Sequence, residues 1–350
     1  MKLAINAMNF GPKASIKMDL IKHAESLGFD SAWTAEAWGN DAVTTATWIA
    51  AQTTTLKVGT AIMQMQARTP AMTAMTAMTL DHLSGGRFML GLGPSGPQVI
   101  EGWHGQPYGK PLARTKEYIA IVRKILAREE KLEFDGEFYQ IPTRAEGASG
   151  LGKPLKSILH GNPDIPIYTA SISPKGLECA AEVADGVIPM MYDPERYAEL
   201  LQPSLEAGFA KAKTNGVEKN LQNFDVQVGI TCIVSDDVEK AMMPVKANIA
   251  QYVGGMGARD KNFYNDYAKR MGFEEAAVEI QDLFLSGKKQ EAMAAVPNEL
   301  VDAVHLVGPK DKIRERLKAW KAAGERREVA AMQVGAMQPE ALELLAEELL

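Results

Sequence analysis

A (β/α)8 barrel is the fold this 350-residue sequence predicts, and three observations carry it. Short β-type runs alternate with longer helical ones along the whole chain. Eight of the short runs are apolar enough to be covered on both faces, which is the pattern of a parallel sheet. Right-handed crossovers between parallel neighbours then make closure into a barrel the economical topology, with a doubly wound open sheet as the alternative that periodicity does not separate. At roughly 150 residues per domain the length suggests two units, but barrels of about 250 residues or more fold as one. The reading is a single domain over residues 1–350.

The elements follow in order. Leu3 to Met8 alternates as a strand, and Ile16, Leu20, Ile21, Ala24 and Leu27 recur at helical spacing until Gly28 supplies the stop. Ser31 to Glu36 reads as the second strand, Asp41 to Thr53 as a helix and Lys57 to Met63 as the third strand. A helix from Pro70 to Leu83 opens on a proline whose missing N–H would be unpaired there anyway. Arg87 to Gly93 is the fourth strand, followed by a Gly/Pro-rich loop, Pro94 to Pro111, and a helix from Leu112 to Glu130. Asp135-Gly136 between two alternating arms signals a hairpin over Leu132 to Ile141. Strands five, six and seven are Ile165 to Ala170, Gly186 to Met191 and Asp225 to Val234, with helices from Pro174 to Ala184, about Pro194 to Lys213 and from Ser235 onward. A mostly helical insertion spans roughly residues 251–297 between strands seven and eight. Asp311 to Ala323 is a helix, Glu328 to Gly335 the eighth strand and Pro339 to Leu350 a terminal helix.

Composition narrows the function. With 44 Asp plus Glu against 38 Lys plus Arg, the net charge of -6 argues against nucleic acid as a partner. No apolar run reaches the ~18 residues of a membrane span, and no secretory leader is visible at Met1, so a cytoplasmic enzyme is expected. Cys179 and Cys232 lie inside apolar runs without CxxC spacing and read as buried, inert thiols. The five histidines show no HxxxH or HExxH spacing, so no metal is expected.

A barrel places its chemistry at the C-terminal ends of the strands, here Asn6 to Asn9, Ala35 to Trp38, Met63 to Arg68, Gly93 to Trp103, Ala170 to Lys175 and Met190 to Asp193. Gly91-Leu92-Gly93-Pro94-Ser95-Gly96 matches GxGxxG literally, but Pro97 follows it, and the acid about 20 residues on, Glu117, sits inside a helix. It reads instead as a loop cleared of side chains so that backbone can approach a flat molecule. Ser171-Ile172-Ser173-Pro174 precedes a helix whose free N–H groups and dipole favour an anion, while Ser173 alone would also be an ordinary N-cap. Met72, Met75 and Met78 repeat every third residue and are expected to fill a gap between helix and barrel. No GxSxG elbow, Walker loop or carboxylate pair is visible, which suits an enzyme whose cofactor carries the reaction.

Thr34-Ala35-Glu36-Ala37-Trp38-Gly39, Val58-Gly59-Thr60-Ala61-Ile62, Thr79-Leu80-Asp81-His82-Leu83-Ser84-Gly85-Gly86-Arg87, Gly91-Leu92-Gly93, Pro111-Leu112-Ala113-Arg114-Thr115 and Ala184-Asp185-Gly186 form an ordered set covering nearly the whole chain. The set resembles the bacterial-luciferase-like superfamily, in its coenzyme F420-dependent oxidoreductase branch. That resemblance implies a bulge in strand three with a non-prolyl cis peptide at Ala61-Ile62, where a tricyclic ring lies against Thr60, Ala61, Ile62 and Gly93. It implies a phosphate site at Ser171, Ile172 and Ser173, and a cofactor-contacting carboxylate at Glu36, a position commonly Asp in related branches. Asn6, Trp38, Gln64, Arg68, Trp103 and Tyr108 are candidates for the substrate wall, and a homodimer through helices two and three is implied as well. The sugar-phosphate dehydrogenase branch carries an Asp-His pair at the end of strand two and an acid after strand four. Here Glu36-Ala37 and Pro94-Ser95-Gly96 stand instead, so that activity is not carried over, and catalytic side chains stay unassigned. The expectation is hydride transfer between the deazaflavin and a small carbonyl or alkene. The alternatives are an FMN-dependent monooxygenase and a non-catalytic F420 carrier or sensor barrel.

Overall fold

The computed structural model describes residues 1–7, 11–336 and 338–350. Met8 and Asn9, expected at the end of the first strand and on the rim, lie outside them. Eight parallel strands close on themselves: β1 Lys2–Asn6, β2 Ser31–Thr34, β3 Lys57–Thr60, β4 Phe88–Gly93, β5 Ile167–Ala170, β6 Gly186–Ile188, β7 Asp225–Val234 and β8 Ala331–Ala336. Each pairs with the next in order, β7 and β8 join over Gln227↔Ala331 to Cys232↔Ala336, and β8 returns to β1 over Lys2↔Ala331 to Ile5↔Val334. The sheet is a closed barrel and not an open one.

Helices cover the outside. They include α1 Met18–Ser26, α2 Ala42–Ala50, α3 Pro70–Ser84, α4 Pro111–Ala127, α5 Pro174–Val183, α6 Gln202–Thr214 and α7 Val238–Ala250. Their starts follow local chemistry: the Asp41 carboxylate caps Thr44 N–H, the Thr69 hydroxyl caps Met72 N–H, and the Ser173 hydroxyl caps Gly176 N–H. α3 ends on Gly85 in the left-handed region, the conformation glycine adopts without penalty.

Between β7 and β8, after α7, the chain runs through a π-helical turn, Gln251–Gly255, and five helices including Phe263–Arg270 and Glu274–Leu285. A short strand outside the eight, Leu306–Gly308, pairs with the end of β7 and was not foreseen, because three residues are too few to show alternation. The methionine repeat also departs from expectation. Only Met78 is buried, while Met72 and Met75 are about half exposed. Steps of three residues turn short of the 3.6-residue period, so the three side chains fan out and two leave the core.

Two apolar layers result. The larger packs helices against the outside of the barrel. The smaller, Ala4, Trp33, Met89, Tyr168 and Ile188, comes from strands on opposite sides and fills the interior. Trp33 is fully buried there, its indole N–H donating to the Ser31 hydroxyl at 3.0 Å and its ring edge-on to Tyr168 at 5.4 Å. Ala61, Ile62 and Ala170 pack against this layer.

Candidate active site

The third strand stops at Thr60, and the Ala61–Ile62 peptide bond is cis. The chain then resumes beside β4, with Met63 opposite Leu92 and Gln64 opposite Gly93. Thr60 spans the break: its hydroxyl donates to the Gly91 carbonyl at 2.7 Å and accepts from the Gly91 N–H at 3.0 Å. Only glycine fits opposite, because a Cβ on residue 91 would lie 1.7 Å from the Thr60 carbonyl oxygen. Gly93 is similarly cleared, with Ile62 Cδ1 2.8 Å from where its Cβ would stand. Thr60 is therefore a buried splice in the ladder, whereas Ala61 and Ile62 are half-buried.

Glu36 locks this bulge in place. One carboxylate oxygen accepts from Gln64 N–H at 2.7 Å and Arg68 Nη1 at 2.5 Å, the other from Ala42 N–H and Arg68 Nη2, both at 3.1 Å. The carboxylate is almost wholly buried, and the Arg68 guanidinium also bonds Asp41. Against a burial that would raise it, hydrogen bonds from Thr44 and the charge of Arg68 hold the Asp41 carboxyl below its usual range. Glu36 and Arg68, expected respectively at the cofactor and on the substrate wall, are thus brought together as a bidentate pair beneath the rim.

Gln64 is buried too, its amide donating to the Ala37 carbonyl at 3.0 Å and the Ser95 hydroxyl at 3.1 Å. Its carbonyl oxygen meets His104 Nε2 at 2.6 Å. Tyr108 is buried, donates from its hydroxyl to the Ser95 carbonyl at 3.1 Å, and has its phenol pushed up by burial. These contacts fasten the loop after β4 to the bulge. Asn6 is half-buried at the end of β1, while Trp38 and Trp103 stand at least half exposed on flanking loops. Ser95 lay in the cleared loop that the sequence picked out, without a role assigned to it, whereas His104 was missed, since an isolated histidine in a loop carries no spacing signal.

On the same rim, one strand beyond β4, β5 ends at Ala170, and Ser171-Ile172-Ser173 turns into α5. Gly176, on the first turn, leaves room for both hydroxyls: a Cβ there would lie 1.8 Å from Ser171 Oγ and 2.8 Å from Ser173 Oγ. The two hydroxyls therefore sit over the positive end of the helix. Lys175 is directed to Glu178, whose carboxyl Lys175 and Lys211 hold at about 2. From the insertion, Arg270 Nη2 donates to the Ile172 carbonyl at 2.7 Å and braces the turn.

The cysteines take no part. Both are buried, and burial pushes Cys179 up to about 11 and Cys232 up to about 12. Among the described residues no group of three His, Cys, Asp or Glu side chains could hold a metal.

Residues 7–327 match the family model described as luciferase-like monooxygenase. The chain belongs to the luciferase-like monooxygenase family. A Mycobacterium tuberculosis relative of this family, whose name assigns it provisionally to the coenzyme F420-dependent oxidoreductases, is 45% identical over 307 residues, 87% of each chain. The 5,10-methylenetetrahydromethanopterin reductase of Methanolobus tindarius is 30% identical over 332 residues, 94% of each chain. Among solved structures, the coenzyme F420-dependent tetrahydromethanopterin reductase of Methanopyrus kandleri superposes with a TM-score of 0.78, at 24% identity, over 99% of this chain and 97% of the other. That structural likeness speaks to the fold of this luciferase-like chain. No helix among the described residues is long and apolar enough to cross a membrane.

Proposed function

We propose that this chain is a coenzyme F420-dependent oxidoreductase that transfers a hydride between the deazaflavin and a small, uncharged carbonyl or alkene. The observation that carries the reading is the 45% identity, across 87% of both chains, with a relative named for that chemistry. The site fits the group. Ala61, Ile62 and Gly93 would hold the ring system, and Ser171, Ile172 and Ser173 its phosphate, with Gly176 supplying the clearance both hydroxyls need. When bound, the deazaflavin supplies two-electron hydride chemistry.

What this chain contributes is placement. The Glu36–Arg68 pair and the Thr60 splice fix the bulge, Gln64 and Tyr108 fix the loop after β4, and the Trp33–Tyr168 layer closes the barrel below the rim. Holding reactants in one geometry removes entropy from the barrier, and excluding water strengthens every polar contact. The anion turn contributes binding energy remote from the reacting carbon.

The test is turnover. Reduced F420 mixed with the enzyme and a panel of neutral ketones, aldehydes and activated alkenes is expected to regain the absorbance of the oxidised form with at least one acceptor. Binding without oxidation across the panel would favour a carrier or sensor. Oxygen-dependent product formation with reduced FMN would favour a monooxygenase.

A homodimer is part of the proposal. Trp48 on α2, with Met72, Met75 and Leu83 on α3, are exposed apolar side chains on neighbouring helices. Ile158 joins them, because its segment is pinned to α3 by the His82 Nε2 to His160 carbonyl contact at 3.0 Å. Exposed apolar side chains grouped on neighbouring elements in this way fit an interface. Sedimentation velocity is expected to give a dimer for the wild type and a species of half the mass for Met75→Glu; a wild-type monomer at micromolar concentration would contradict it.

A further inference from the structure

We propose that His104 is the proton donor of the site, presented in one tautomer by Gln64; the inference rests on the hydride-transfer reading above. The Ala37 carbonyl accepts only, so the Gln64 atom 3.0 Å from it is the amide nitrogen. The other Gln64 atom is then the carbonyl oxygen, and it too accepts only. His104 Nε2, 2.6 Å away, must carry the hydrogen between them. In the neutral imidazole the lone pair is therefore on Nδ1, the nitrogen that takes up and releases the exchangeable proton. Gln64 cannot swing away, because it is 1% exposed and its amide also donates to the Ser95 hydroxyl at 3.1 Å.

Position supports chemistry. Gln64 is two residues beyond Ile62, and its backbone N–H is held by Glu36, so the imidazole is tied through one side chain to the bulge at the barrel mouth. His104 itself is half-buried on the loop after β4, within reach of water for reprotonation. The charged and titratable groups linked to this pair are Glu36, which holds the Gln64 N–H, with Arg68 and Asp41 bonded beyond it, and on the loop of His104 Glu101 and Tyr108, with Tyr264 of the insertion beside Tyr108. In carbonyl reduction the deazaflavin, when bound in its reduced form, would supply the hydride for the new C–H bond, and the C=O π pair would move to oxygen. The oxygen then takes the proton from Nδ1 of the imidazolium, leaving neutral imidazole that regains a proton from water. Hydride, proton and charge balance.

Two measurements test this. Nitrogen-15 spectra of the histidines in the protein without cofactor, with the His104 signals identified by their loss in His104→Gln, are expected to show the Nε2–H tautomer. In Gln64→Leu they are expected to show a mixture. Turnover with reduced F420 separates proton donation from loop anchoring, because His104→Gln keeps an N–H for the Gln64 oxygen yet transfers no proton. Both His104→Gln and His104→Ala are expected to lose about 100- to 10,000-fold in kcat, while F420 dissociation constants stay within threefold of wild type. An Nδ1–H tautomer, or a His104→Gln variant with wild-type kcat, overturns the proposal. A wild type that binds no F420 overturns the cofactor reading and this inference with it, a failure distinguished because it appears before any variant is compared.

Discussion

Glu36→Ala is expected to lower unfolding stability by about 3 kcal/mol, the lower end of the range for breaking a buried ion pair from one side. The lower end applies because Asp41 remains as a partner for Arg68. The substitution also strips the Ala42 and Gln64 N–H groups of their acceptor. A buried donor left unsatisfied costs roughly 1–3 kcal/mol, less wherever water enters the space the side chain vacates. Urea unfolding should show an earlier midpoint at an unchanged slope, since the native surface is otherwise kept. Glu36→Gln, which retains an acceptor, should fall between the two. A loss below about 1 kcal/mol for the alanine variant, the level of an exposed pair, would show that the carboxylate is not the lock described. Because Gln64 is the next link toward His104, the same variant should lower kcat more than its stability loss explains.

How much of this was legible in the sequence depends on how far each feature is local. Strand and helix alternation is local, and all eight barrel strands stand where the apolar runs placed them, though several end two or three residues earlier than read, as at Thr34 and Ile188. The cap at Ser173 is local as well, and its hydroxyl does accept from Gly176 N–H. The bulge after Thr60 came from resemblance, because nothing in Thr60-Ala61-Ile62 alone distinguishes a break from a continuing strand. Gln64 and Arg68 fell in a range picked out by position at the strand ends, and Glu36 was singled out by resemblance. What they bond to was not legible, since Glu36 and Arg68 are separated by thirty-two positions and meet only when the barrel closes. His104 fell in a Gly/Pro-rich loop and was set aside because it lacks metal spacing. The exposed face of α3 was misread because a methionine every third residue drifts around a helix and does not hold one face.

Gly176→Ala should separate binding from folding more sharply than any other single change. Alanine is the better helix former by up to about 1 kcal/mol, which offsets the local crowding, so thermal stability is expected to change little. The methyl group would meet both Ser171 Oγ and Ser173 Oγ and displace them from the helix end. Hydrogen bonds to a charged group are worth about 1.5–3 kcal/mol, so F420 affinity is expected to fall roughly 10- to 100-fold. A variant destabilised as strongly as it is weakened in binding would mean that the turn serves the fold alone.

A backbone rim and an anion turn, and no reactive side chain, are proposed to hold a deazaflavin. The most direct measurement is titration of the cofactor-free protein with F420 and with FMN in parallel, for wild type and Gly176→Ala. Saturable F420 binding by wild type, no comparable FMN binding, and the 10- to 100-fold loss in the variant are expected. Preferential binding of FMN, or a Gly176→Ala protein that binds F420 as tightly as wild type, would contradict this proposal.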